Sequence, residues 1–120
     1  MKGFKDLIVY QKAFALAMDI FEESKKFPPD EKFSLTNQIR KSSRSVCANL
    51  AEAYRKRRYE AHFVSKLSDS ETENTETEVW LNFSKDCKYL PGERYDDFLG
   101  RNTEVGKLLW NMINNPNKFM

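Results

Sequence analysis

The sequence has little that would break a helix. Four glycines and four prolines are spread over 120 residues, too few for the frequent turns a sheet requires. There is one histidine, His62, and there are two cysteines, Cys47 and Cys87. No Cys-x-x-Cys pair, phosphate-binding glycine loop or nucleophile elbow occurs. The paired Glu-x-x-His motifs of a di-iron bundle are missing too, since Glu60 and His62 stand two apart and point to different faces of a helix. Catalysis needs such a constellation, so neither an enzymatic activity nor a cofactor is expected. No apolar run approaches the ~18 residues of a membrane span. The opening MKGFKDLIVYQKA lacks the long apolar centre and small-residue cleavage site of a signal peptide. A cytoplasmic protein with reduced cysteines and no membrane partner is therefore expected.

What is present is charge and aromatic bulk. Charged residues make up 32% and hydrophobic residues 40%, with nine Phe, five Tyr and two Trp. A chain of this length buries roughly two-thirds of its unfolded surface, enough for one core. Four helical segments are predicted. In the first, about 6–26, Asp6 is a plausible N-cap and Tyr10, Phe14, Ala17 and Phe21 recur at helical spacing before Pro28-Pro29. In the second, about 34–56, Ser34 caps a stripe of Leu35, Ile39, Ser42, Val46, Leu50 and Ala53. Ser42, Ser43, Ala48 and Ala51 are small enough for a neighbouring helix to approach closely.

The third segment, about 59–89, has the polar middle SDSETENTETE, without one apolar side chain. Such residues compete with helical hydrogen bonding, but Leu67, Asn74 and Leu81 keep a heptad spacing through it. One continuous helix is expected, against the alternative of two helices joined by an acidic loop. The fourth, about 92–115, opens after Pro91 and carries Tyr95, Phe98, Asn102, Val105, Leu109 and Met112. Gly100 and Gly106 are candidate close approaches, and the tail NNPNKFM is expected to fray. Short connections make successive helices antiparallel neighbours, so the fold class is all-α, a single-domain up-down-up-down four-helix bundle.

The charges divide by helix. Arg40, Lys41, Arg44, Arg55, Lys56, Arg57 and Arg58 make the second helix basic; Glu60, Asp69, Glu71, Glu73, Glu76 and Glu78 make the third acidic. If the chain reverses near Arg57-Arg58, the common rise of about 1.5 Å per residue sets Arg44 opposite Glu71 and Arg40 opposite Glu76, to within one turn. Structural ion pairs of Arg40 and Arg44 with Glu71, Glu73 or Glu76 are the expectation. This register separates Cys47 from Cys87, so no disulfide within the chain is expected. Glu52, Glu73 and Glu76 are the best metal candidate, but ion pairing is the simpler use of them. The run Arg55–Arg58 is either a set of cations favoured by a helix C-terminus or a nucleic-acid contact, with Tyr54 and Tyr59 as flanking aromatics. Arg40, Lys41 and Arg44 are the other candidate nucleic-acid-binding group.

Several stretches together resemble one family. They are FKDLIVYQKA, FPPDEKFSLTNQIRKSSRSVCANLAEAYRK and ETENTETEVWLNFSKDCKYL. Their order brings Phe4-Lys5-Asp6-Leu7, Phe27-Pro28 with Glu31, Gln38-Ile39-Arg40 and Asn49-Leu50-Ala51-Glu52 into the pattern of the bacterial four-helix-bundle proteins encoded in ribosomal RNA intervening sequences. Ala53 replaces a frequent glycine, which puts the turn after helix two later. Asp69-Ser70 stands where a Gly-Ser pair is common. The resemblance implies a homopentamer without enzymatic activity. Accessory proteins of diversity-generating retroelements are related, and they bind nucleic acid together with a reverse transcriptase.

Two functions follow as expectations. The first is a non-enzymatic homo-oligomer whose basic helix-two surface binds RNA or DNA, with a nucleic-acid-processing protein as a further partner. A ring would repeat a modest patch several times, giving salt-sensitive phosphate binding. The second is a protein-interaction scaffold, in which helix three of one subunit neutralises helix two of the next and Asn74 sets the register.

Overall fold

The computed structural model describes residues 3–120. Its four helices are α1 (Ile8–Ser24), α2 (Leu35–Arg55), α3 (Glu60–Asp86) and α4 (Gly92–Asn114), with short 3-10 turns at Phe4–Asp6, Pro29–Glu31 and Pro116–Lys118. Each helix packs on the next, and α1 also packs on α4, which closes the bundle. Contacts fix the directions. Along α2 and α3, Glu52 meets Lys66, Ser70 meets Val46 and Thr77 meets Ser42, so the numbering runs oppositely and within one turn of the expected register. The pairs Asn74–Asn102 and Asn82–Tyr95 make α3 and α4 antiparallel in the same way.

The core is divided along the bundle. One apolar cluster holds Leu7, Val9, Ala13, Val46, Leu50, Tyr54, Phe63, Leu67, Val105 and Leu109. The other holds Leu16, Ile20, Phe27, Leu35, Ile39, Leu81, Leu90 and Phe98. Between them on α2, α3 and α4 lie Ser42, Ser43, Ser70, Asn74, Thr77 and Asn102, all buried. This belt explains why the apolar-free middle of α3 is helical. Its inward polar groups find partners: Ser70 donates to the Val46 carbonyl at 2.8 Å, and the Thr77 hydroxyl meets that of Ser42 at 2.8 Å. The Asn74 amide donates to Asn102 Oδ1 at 2.9 Å, and the Asn102 amide donates back to the Asn74 carbonyl at 3.0 Å. Buried polar groups satisfied in this way no longer oppose burial. Helix α3 is thus one helix, and the buried Asn74 side chain is bonded to Asn102 within the chain. The space beside the asparagine pair, about 10 Å³, holds no more than one water.

Four expectations are corrected. Asp6 does not cap α1; it lies in the preceding 3-10 turn, and Leu7 takes the cap position without a side-chain bond. The buried face of α1 is Val9, Ala13, Leu16, Ala17 and Ile20, so of the expected stripe only Ala17 is buried. Tyr10 and Phe21 are half-buried and Phe14 is exposed. Both sets repeat at helical spacing, and periodicity alone does not say which faces inward. Ser34 stands at the α2 cap, but its hydroxyl bonds Glu31, whose carboxylate takes the Leu35 N–H at 3.4 Å. The tail does not fray: it forms a 3-10 turn, and Phe119 packs on the first core cluster.

Of the two glycines proposed as close approaches, Gly106 is one. A Cβ there would lie 2.9 Å from Asn74 Oδ1, whereas Gly100 faces open space. The end of α3 is closed by Lys88 at φ 65°, with the Tyr89 N–H on the Ser84 carbonyl and the Lys88 N–H on that of Lys85. That is a Schellman cap with lysine where glycine is favoured.

Candidate nucleic-acid interface

The N-terminal half of α2 carries its polar face outward because Leu35, Ile39, Val46 and Leu50 are all buried. Asn37, Lys41, Arg44 and Ala48 follow one another at helical spacing on the opposite face. With Lys32, Phe33, Arg40 and Ser45 they line a shallow groove of about 560 Å³.

The arginines in this groove do not make the expected ion pairs. Among the described residues, neither Arg40 nor Arg44 pairs with Glu71, Glu73 or Glu76. Both turn toward α1 instead. Their guanidinium carbons sit 4.7 and 5.2 Å from the centroid of the Phe21 ring, and Arg40 Nε donates to Ser24 Oγ at 2.7 Å. The reason is rotational. The α2 positions that face α3 are Ser42 and Val46, which meet Thr77 and Ser70, so Arg40 and Arg44 lie on the side toward α1. A guanidinium over an aromatic ring is held by a cation–π attraction while its charge stays uncancelled. Register arithmetic located the facing turn correctly but carried no information on rotation about the helix axis.

Nearby carboxylates are otherwise engaged. Glu76 accepts the Trp80 indole N–H at 3.2 Å, and Glu52 sits 3.7 Å from Lys66 on α3. The carboxyl of Glu73 is raised above its ordinary range, first by burial and then by the charge of Glu76, while Lys41 pulls it the other way. Glu52, Glu73 and Glu76 do not converge, and among the described residues no group of three metal-ligating side chains does.

The second basic group closes α2. Arg55 ends the helix and Lys56 follows as its cap. Arg57 Nε donates to the Tyr54 carbonyl at 2.8 Å, and its guanidinium lies 3.5 Å from the Tyr54 ring centroid. Arg57 therefore satisfies a last-turn carbonyl, as expected of a cation at a helix C-terminus. Arg55, Lys56 and Arg58 are exposed. Tyr54 is buried and is removed as a base-stacking candidate; Tyr59 is exposed, edge-on to His62. Cys47 and Cys87 are unpaired thiols.

Sequence reasoning missed two contributors: Phe21, which holds both arginines, and Phe33, which projects at the groove's end. Phe21 was assigned to the core stripe. Its four-residue spacing from Lys25 and the Lys32-Phe33 pair were the available signals.

An all-α antiparallel four-helix bundle with one outward basic helix face is what the fold and this surface define. The chain belongs to the 23S rRNA-intervening sequence protein family, whose profile matches residues 5–111. A crystal structure of a protein of unknown function from the S23 ribosomal protein family of Bacteroides thetaiotaomicron is similar, with a TM-score of 0.83 and 32% identity over 92% of this chain and 98% of that one. No curated protein matches the chain. No helix among the described residues is long and apolar enough to cross a membrane.

Proposed function

We propose that this protein is a non-enzymatic helical bundle that self-associates and binds RNA or DNA through the basic face of α2. One observation carries the reading: Arg40 and Arg44 are held on Phe21 with no carboxylate against them. Of the two expected functions, the scaffold needs these charges neutralised by α3 of a neighbouring subunit, whereas nucleic-acid binding needs them free. Within the chain α2 packs along α3 and leaves them without a carboxylate, so they are available to a phosphate backbone. Self-association is supported by an apolar strip beside the basic groove. Phe14 and Met18 are 50% and 44% exposed, and with Tyr10, Ala48 and Ala51 they line a depression between α1 and α2. Repeating the groove in each subunit would multiply phosphate contacts.

The test is a salt titration of binding to a structured RNA and to a duplex DNA, with the mass of the assembly measured by light scattering. Wild type is compared with Arg40→Glu/Arg44→Glu and with Arg55→Glu/Lys56→Glu. Binding that weakens steeply with salt, and a log–log slope that falls by about 2 in the first variant, is the expected result. No binding by wild type at low salt, or a monomeric mass at micromolar concentration, would refute the reading.

A further inference from the structure

We propose that the groove from Lys32 to Ala48 takes a single strand of nucleic acid, with one base stacked on Phe33. This rests on the reading of α2 as a nucleic-acid-binding face and narrows its substrate. Phe33 is 86% exposed, the most exposed of the large apolar side chains among the described residues. It stands just before α2, with Lys32 Nζ 5.4 Å from its ring centroid. An isolated ring held in water at the mouth of a basic groove is the arrangement that sequence-tolerant single-strand binders use. The cations track the backbone, and the aromatic face receives a base.

The rest of the groove fits one strand. Arg40 and Arg44 are four residues apart, about 6 Å along the helix axis, a step matched to successive phosphates of an extended strand. Arg40 already spends its Nε–H on Ser24, which fixes its plane, and its terminal amino groups have no hydrogen-bond or carboxylate partner among the described residues. Asn37 and Ser45 lie in the same groove and offer hydrogen-bonding groups for sugar or base edges.

A duplex fits less well, because its bases stack on each other and no base face is open to Phe33.

The experiment uses the full chain and fluorescein-labelled oligonucleotides of about 12 nucleotides: oligo-dT, oligo-U and a mixed-sequence duplex. Binding is followed by anisotropy from about 50 to about 200 mM salt. Phe33→Ala, Phe33→Trp and Lys41→Glu/Arg44→Glu are compared with wild type, and sedimentation reports the assembly state of each. Expected is tighter binding of the single strands than of the duplex. Phe33→Ala should weaken the single strands about tenfold, with the salt slope and duplex affinity unchanged, and Phe33→Trp should restore binding. Equal affinity for duplex and single strand would overturn the inference. So would a silent Phe33→Ala alongside loss of binding in Lys41→Glu/Arg44→Glu, although the basic face would then stand. A fall in assembly mass in Phe33→Ala would assign the ring to a contact between copies and overturn it as well. No binding of any probe by wild type would remove both this inference and the reading beneath it.

Discussion

Replacing Asn102 by alanine tests whether the polar belt holds the bundle together. In the folded protein Asn102 does two things: its Oδ1 accepts from the Asn74 amide, and its own amide donates to the Asn74 carbonyl. Alanine removes both bonds and leaves Asn74 Nδ2 without its partner beside a void of about 10 Å³, which truncation enlarges. An orphaned buried donor costs about 1–3 kcal/mol, and the second bond, to a carbonyl that also serves its own helix, adds about 1. The expected loss is about 2–4 kcal/mol, a large part of the roughly 5–15 kcal/mol that holds a domain folded. With a urea m-value of about 2 kcal/mol/M, the midpoint falls by about 1–2 M. Asn74→Ala should cost less, because Asn102 keeps its bond to the residue-74 carbonyl. The double variant should be less destabilised than the two losses combined, by about 1 kcal/mol or more. Circular dichroism at the helical minimum, followed through urea unfolding, measures all four proteins. Additive losses, or a larger loss for Asn74→Ala than for Asn102→Ala, would refute this account of the belt.

Two further outcomes follow from groups outside the basic face. Cys87 is exposed, whereas Cys47 is buried and its thiol is pushed up to about 11 by that burial. A thiol reagent at pH 8 should therefore modify one cysteine per chain quickly and the other only in urea; two fast thiols would show that the α1–α2 contact opens readily. Glu31 accepts the hydroxyls of Ser34 and Tyr89, which hold its carboxyl below the ordinary value of 4.5, while Tyr89 is pushed up to about 12, first by that bond to Glu31. The depressed Glu31 contributes stability that is complete above its ordinary value and lost as pH falls through the lowered one. The raised Tyr89 contributes below 10 and loses its contribution as pH rises through about 12. The urea midpoints of wild type and Glu31→Gln should thus differ at pH 7 and converge in acid; a difference that persists unchanged at pH 2.5 contradicts the assignment.

How much was legible in the sequence differs from helix to helix. The α2 stripe from Leu35 to Ala53 was readable because its opposite face is strongly polar, so a single rotation satisfies it. The α4 stripe from Phe98 to Met112 was readable for the same reason. On α1 the pattern fits two rotations. Tyr10, Phe14 and Phe21 repeat as regularly as Val9, Ala13, Leu16 and Ile20, and only packing against α2 and α4 selects the second set. Part of the aromatic strip left outside, Tyr10 and Phe14, lines the depression proposed for self-association.

By itself, the sequence determined four helices, their order, their antiparallel register and the separation of basic α2 from acidic α3. These follow from local spacing, turn residues and a fixed rise per residue, none of which needs a partner element. Tertiary structure alone decided what the polar middle of α3 is for and where the arginines go. The serines, threonines and asparagines of that stretch become favourable only when Ser42, Val46 and Asn102 are brought opposite them. Arg40 and Arg44 are released from the carboxylates of α3 by the rotation of α2 about its axis, which places Phe21 within their reach. Burial and charge pairing depend on three-dimensional neighbours, and periodicity along one chain does not carry that information.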